Sequence, residues 1–353
     1  MQNALEKIIK NQIAQIGPLP ISEFMRLALL HPQYGYYTKS EPFGQRGDFI
    51  TAPEISQIFG EIIGMWCAEL WLKMGSPAAF TLLECGAGRG TLLRDILRTT
   101  KRIKGFHQAL SLFLLEASPR LQNLQQKVAD EFSITANFIK SSQSNLPNQP
   151  TIILANEWLD ALPIDCYLRT DSGWNEKRIT LDAEKNFSFC LLPTLRQNWL
   201  TQKFPYIKPE EILEYCNESE QALENFANHI KTHKGAMLIF DYGYVETQTK
   251  CSLQAVKNHK YHNIFSDIGQ ADLTALVDFS QALNIINKIS ADLSAEIFSQ
   301  GEWLETYGIK IRADQLKKNA SAKQSTEIDL ALKRLTHKDE MGELFKVLML
   351  TNA

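Results

Sequence analysis

Apolar positions along this chain follow two rhythms. Up to residue 80 they recur at helical spacing. Leu5, Ile8, Ile9, Ile13 and Ile16 precede Gly17-Pro18, and a second short helix over 21–30 has Ser22 as its expected cap. An aromatic loop, His31-Pro32-Gln33-Tyr34-Gly35-Tyr36-Tyr37, ends that helix, and a long amphipathic helix is expected over 54–73 with Pro53 opening it. From Thr81 onward short apolar runs alternate with helical stretches: strand 81–86, helix 90–100, strand 110–117, helix 118–131, and strands around 135–141 and 151–156. That alternation predicts an α/β fold built on a parallel, doubly wound sheet.

The rhythm breaks at 164–192, where apolar and polar residues alternate around Asp171-Ser172-Gly173 and Asp182-Ala183-Glu184-Lys185, which predicts an antiparallel hairpin or meander inserted over the cleft. Residues 193–217 read as irregular and 218–231 as a helix. Gly235 to Gly243 returns to the sheet and ends in an acid, Asp241. His262 to Phe279 reads as a loop entering a helix capped by Asp272. Residues 292–299 and 342–350 would be the last strands, with a helix over 325–336 between them after a polar connector, Asn319 to Ser325. Four segments result: a helical covering segment 1–80, a first α/β half 81–163, an insertion 164–232 and a second α/β half 233–353.

The candidate chemistry centres on Thr81 to Leu93, where an apolar run meets Gly86, Gly88 and Gly90 before a helix begins at Thr91. This is how a buried strand turns into a helix beneath a nucleotide, with unpaired N–H groups of the first helical turn facing the ligand. Glu84, two residues before the first glycine, would repel a dinucleotide pyrophosphate but suits a cofactor bearing an ammonium and a sulfonium, which favours S-adenosylmethionine over NAD. Glu116, ending the next apolar run, can accept both hydroxyls of a ribose. The strand over 151–156 leads into Asn156-Glu157-Trp158-Leu159-Asp160, which places an amide, two carboxylates and an indole at the mouth of the cleft.

Composition narrows the class. The 353 residues, 44% apolar and 22% charged, suit a globular protein, and a net charge of -3 supplies no basic field for nucleic acid. No uncharged apolar run approaches the roughly 18 residues of a membrane helix. The N-terminus lacks a secretory core or an Arg-rich transit pattern, so a cytoplasmic location and no membrane partner are expected. Six cysteines without a Cys-x-x-Cys pair read as reduced, mostly structural thiols, and no metal site is expected.

Together, Gly35-Tyr36-Tyr37, Gly47 to Gln57, Glu84 to Thr91, Asn156 to Pro163, Asp241-Tyr242-Gly243 and Ala271 to Phe279 resemble, in order, the MidA family of class I methyltransferases, which includes a mitochondrial complex I assembly-factor arginine methyltransferase. The resemblance implies a Rossmann-like sheet of seven strands with the last antiparallel, S-adenosylmethionine as cofactor, and ω-N methylation of arginine on a protein, symmetric in the mitochondrial relative. Cys85 and Ala87 depart from the family's more usual residues. On this reading Glu84, Gly86, Gly88, Gly90, Thr91, Glu116 and Asn156 hold the cofactor. Glu157, Asp160 and Asp48 act on the acceptor, and Thr51, Glu54, His262 and Asp272 help to bind it. A small-molecule methyltransferase lidded by 164–192, or a non-catalytic cofactor-binding assembly factor, remain alternatives, and the acceptor protein and oligomeric state stay open.

Overall fold

In the computed structural model, which describes residues 4–39, 51–245, 250–290 and 293–352, the apolar runs pair into one large sheet. Its main strands are β1 (Phe80–Cys85), β2 (Leu110–Leu115), β3 (Ala136–Ile139), β4 (Thr151–Asn156), β5 (Gly235–Tyr244), β6 (Ser294–Ser299) and β7 (Phe345–Asn352). They lie side by side in the order β6-β7-β5-β4-β1-β2-β3. The five strands from β5 to β3 are parallel, and β7 runs antiparallel to both β5 and β6. A two-residue strand, Val277–Asp278, pairs in parallel with the end of β5 at Gly243 and Tyr244. The chain leaves β1 toward β2 and β3 and then returns to β4 on the other side of β1. That reversal opens a crevice at the carboxyl ends of β1 and β4, where ligands of doubly wound sheets bind.

Helices cover β1 and β4, whose side chains are buried on both faces except at the last residue of β4. The expected helix 54–73 is in fact two, Ala52–Ile55 and Gln57–Lys73. Ser56 breaks it with an extended backbone (φ -159°, ψ 136°), and its hydroxyl accepts the Ile58 N–H at 3.3 Å to cap the second helix. Nor is that helix amphipathic, since residues around most of its circumference, from Ile58 and Phe59 to Trp66 and Trp71, are buried. Glu61, buried within it, is matched by Arg98 at 3.1 Å and Arg312 at 2.8 Å, so the charge is compensated.

Other boundaries move for local reasons. Ser22 does not cap its helix but donates to Asp165 Oδ1 at 2.5 Å. The expected connector 319–325 holds a capping box in which Ser321 and Gln324 bond reciprocally and start Ala322–Thr336. Two further helices, Gln300–Thr306 and Ile309–Lys317, precede it, and the stretch read as irregular contains a helix, Gln197–Lys203, and a strand, Ile212–Tyr215. Asp272 is not a helix cap: it begins a short strand, Asp272–Thr274. The next helix starts at Phe279, where Asp278 accepts the Gln281 N–H at 2.9 Å.

Backbone contacts divide the chain into two units. One comprises Ile50–Asp160, Glu220–Val245 and Val277–Ala353, and contains the large sheet. The other comprises Met1–Phe49, Ala161–Ser219 and Glu246–Leu276. In the second unit the predicted meander is present as Asp165–Thr170, Gly173–Leu181 and Phe187–Pro193, joined by Leu19–Pro20 and Ile212–Tyr215, over a core that includes Leu5, Ile9, Phe24, Met25 and Ile179. The expected segment 1–80 is therefore not one piece, because its helices fall into different units on either side of residue 50.

Candidate functional site

The site is built first from the turn that follows β1. Gly86 donates its N–H to Leu115 O at 3.0 Å, tying the turn to β2, and Gly86, Gly88 and Gly90 all have positive φ, at 65°, 52° and 78°. A Cβ on Gly86 would stand 2.8 Å from Trp158 Cδ1, so the indole after β4 occupies space that only glycine leaves open. Gly90 is the N-cap of helix Thr91–Thr100 and supplies no side-chain cap, which leaves N–H groups of the first turn available to a ligand. The Thr91 hydroxyl donates to Glu54 Oε1, so these two candidates meet each other.

Two carboxyls flank the turn. Glu84 is 3% exposed, its Oε2 has no hydrogen-bond partner among the described residues, and burial pushes its pKa up to about 8. Such a carboxyl holds its proton at neutral pH until a cation arrives to compensate its charge. Glu116, just beyond β2, accepts the Ser118 N–H at 2.8 Å through Oε1 and Gln125 Nε2 at 2.9 Å through Oε2. Burial also raises its pKa. A carboxylate has about four acceptor sites, so room remains for two ribose hydroxyls.

Gln125 was not among the expected residues. Fully buried, it also donates to Gly88 O at 2.8 Å and thereby locks the glycine turn to Glu116. Its signal in the sequence was an amide between Leu121 and Val128 on the buried face of a helix.

The acidic side of the site lies at the ends of β4 and β5. Glu157 leaves β4 with φ 50°, and its N–H donates to Phe240 O at 2.8 Å. Its Oε1 accepts the Ala52 N–H at 3.1 Å and Asn156 Nδ2 at 3.2 Å, which brings the start of helix Ala52–Ile55 onto this carboxyl. Burial, and then the charge of Asp160, push Glu157 up to about 8. Asn156 Oδ1 is buried without a partner among the described residues. Asp160 accepts the hydroxyl of Tyr242. Asp241 is fully buried and accepts the Leu159 N–H at 2.9 Å, the Asp160 N–H at 3.2 Å and the Tyr242 N–H at 3.0 Å. Burial and the charges of Asp160 and Glu157 hold Asp241 well above the usual carboxylate range.

The remaining candidates behave differently. Thr51 contributes its backbone, accepting the Glu54 and Ile55 N–H groups at 2.9 and 3.2 Å, and its side chain caps nothing. His262 and Asp272 belong to the other unit, where His262 pairs with Asp267 at 3.2 Å and Asp272 accepts the Tyr37 hydroxyl at 3.2 Å. Asp48 lies outside the described residues. Among the described residues no three His, Cys, Asp or Glu side chains are grouped to hold a metal ion, and no helix is long and apolar enough to cross a membrane. Glycines that leave space for a ligand, a buried carboxyl with one oxygen unpartnered among the described residues and a strand-end Glu with spare lone pairs fit a cationic nucleoside such as S-adenosylmethionine.

Comparisons with known proteins agree with this geometry. Residues 62–297 match the family model of S-adenosyl-L-methionine-dependent methyltransferases. The chain is 32% identical to a Danio rerio protein named "Protein arginine methyltransferase NDUFAF7, mitochondrial", over 100% of this chain and 88% of that one. It is 33% identical to the Drosophila melanogaster homolog (98% and 84%) and 31% identical to the Homo sapiens protein (95% and 80%). A crystal structure of a Burkholderia thailandensis protein bound to S-adenosyl-homocysteine shares the fold, with a TM-score of 0.83 at 24% identity over 99% of this chain and 92% of that one. The expectation of a cytoplasmic protein, which rested on an N-terminus with no secretory core or Arg-rich transit pattern, is overturned, because these curated relatives are named mitochondrial. The chain belongs to this family of S-adenosyl-L-methionine-dependent methyltransferases.

Proposed function

We propose that this chain transfers a methyl group from S-adenosylmethionine to a guanidinium nitrogen of an arginine in a protein substrate. The observation that carries this reading is the acidic wall formed by Glu157, Asp160 and Asp241 at the ends of β4 and β5, beside the glycine turn. Buried acids so close together raise one another's pKa, and a cation arriving beside them relieves both the desolvation and the repulsion. Relatives named as arginine methyltransferases over nearly the whole chain support the same acceptor.

In this reading Gly86, Gly88 and Gly90 let the cofactor lie against the backbone, with Thr91 and Asn156 beside it. Glu84 faces its cationic amino-acid end and Glu116 its ribose hydroxyls. The bound cofactor supplies an electrophilic methyl group on a sulfonium. The protein must align the acceptor and manage its proton, since a guanidinium is always charged and a poor nucleophile. Glu157 and Asp160 grip its fork through charge-assisted hydrogen bonds and draw positive charge away from the nitrogen that reacts. Once that nitrogen has bonded carbon it must lose a proton, and a carboxyl whose pKa lies near the working pH is suited to take it. Thr51 supports the wall through the helix it starts, whose first N–H reaches Glu157, and Glu54 ties that same helix to Thr91 beside the glycine turn.

Purified protein incubated with labelled S-adenosylmethionine and cell lysate tests the proposal. Label that maps to arginine in a protein band is expected. Label confined to small molecules, or bound cofactor with no transfer, would overturn it.

A further inference from the structure

The turn from Asn156 to Asp160 carries both carboxyls of the proposed acceptor site, and the backbone N–H groups of Glu157, Leu159 and Asp160 all bond to β5. Glu157 takes a left-handed backbone as the chain leaves β4, and the N–H groups of Leu159 and Asp160 point toward the neighbouring strand, β5. A buried N–H needs an acceptor, and here both bond to Oδ2 of Asp241 while Oδ1 takes the Tyr242 N–H. Three donors converging on two oxygens call for a carboxyl, because the side chain of Asn would set an NH2 group against one of these N–H donors. The next residue completes the arrangement: the Tyr242 hydroxyl donates to Oδ2 of Asp160, while its ring packs edge-on against Phe345 at 5.5 Å.

We propose that Asp241 and Tyr242 are positioning residues for methyl transfer: the end of β5 fixes the turn after β4, and through it the placement of the Glu157 and Asp160 carboxyls that receive the acceptor. This role rests on the reading of Glu157 and Asp160 given above. The two residues reach the reaction only through others, Asp241 through the backbone of the turn and Tyr242 through one carboxylate oxygen. Among the described residues, Glu157 and Asp160 on the turn act on Asp241, Lys346 stands opposite it on β7 with its ammonium on Glu343, and Arg334 acts on Glu157 from helix Ala322–Thr336.

The test uses the full-length protein and two variants, Tyr242→Phe and Asp241→Asn. Methyl groups transferred to a lysate from a strain lacking the protein are counted with labelled S-adenosylmethionine across pH 6 to 10, and cofactor affinity is measured by calorimetry. Tyr242→Phe keeps the ring and its packing, so cofactor affinity should stay within about two-fold of wild type. Turnover should fall by ~10-fold, the loss expected for one hydrogen bond to a charged group, and its acidic limb should move to higher pH because the Asp160 anion has lost a donor. Asp241→Asn should lower turnover by ~100-fold and speed amide exchange of the peptide covering 156–162 more than that of β1. Tyr242→Phe with wild-type turnover and an unmoved limb would overturn the proposal. So would a loss of turnover matched by an equal loss of cofactor affinity, which marks general damage. If Asp241→Asn does not fold, Tyr242→Phe alone decides. Label mapping to a residue other than arginine would sink the arginine reading, while the ratio of variant to wild-type transfer still tests positioning.

Discussion

The two walls of the site solve the same backbone problem with different residues. After β1 the chain turns through Gly86, Gly88 and Gly90 with φ of 65°, 52° and 78°, and after β4 it turns through Glu157 with φ 50°. On the first wall a left-handed backbone is inexpensive, and the missing side chains leave room for Trp158 and for a ligand. On the second wall the same conformation falls on a residue with a Cβ, which costs on the order of 1 kcal/mol or more and persists only because the surroundings hold it. Those surroundings are the Ala52 N–H on the carboxyl, the Phe240 carbonyl on the backbone and Asp241 under the next two N–H groups. One wall needs empty space at its turn; the other needs a carboxyl there and accepts strain to place it.

The largest effect should come from removing the charge that strain puts in place. Glu157→Gln keeps the shape of the turn, so cofactor binding should survive while kcat falls by about 10²- to 10⁴-fold, the usual contribution of a proton-transfer group. Unchanged turnover would remove Glu157 from the chemistry. On the opposite wall Gly88→Val should weaken cofactor binding by ~10- to 100-fold or more, from strain at positive φ and from lost space. Calorimetry that finds normal affinity in a folded variant would place the cofactor elsewhere.

A pH series separates the walls further. Because burial raises Glu84 from 4.5 to about 8, the folded free protein holds a proton there that the unfolded chain releases. Its contribution to stability is thus present below about 4.5 and is lost as pH rises toward 8, at about 1.4 kcal/mol per pH unit. Cofactor affinity should run the other way and tighten up to pH 8 as the carboxylate forms. Thermal melts and binding isotherms of Glu84→Gln should show both slopes flattened, and slopes equal to wild type would assign them to other groups. The smallest effect is expected from Gln125→Ala, which unties Gly88 from Glu116 and should cost ~1–3 kcal/mol of stability, read as a lower Tm, with a modest loss of cofactor affinity.

Legibility differed between the walls for a physical reason. Glu84 and the three glycines stand at alternate positions of one short stretch and Glu116 stands at the end of the next apolar run, so strand-to-helix periodicity located them without tertiary information. Asn156 and Glu157 were placed by the same logic, at the end of β4. Gln125 reads in sequence as one polar residue of a helix, and its bonds to Gly88 and Glu116 arise only when that helix packs under the turn. Asp272 misled because an Asp before an apolar stretch resembles a cap, and strand pairing with Gln254–Lys257 outweighed that local preference. The helix expected over 54–73 is present over Gln57–Lys73, but it is buried on most sides where a half-exposed helix was expected, and one serine hydroxyl moved its start.

By itself the order of apolar runs, glycines and strand-end acids determined an α/β sheet with a glycine turn at its switch point, because those features depend on neighbours along the chain. Tertiary structure alone decided which buried acids face one another. Glu157 and Asp241 are separated in sequence by the whole insertion, and they meet because β4 and β5 pair in parallel with Asn156 opposite Phe240. Burial, which sets whether those acids carry charge, is a property of that packing and not of any stretch of sequence.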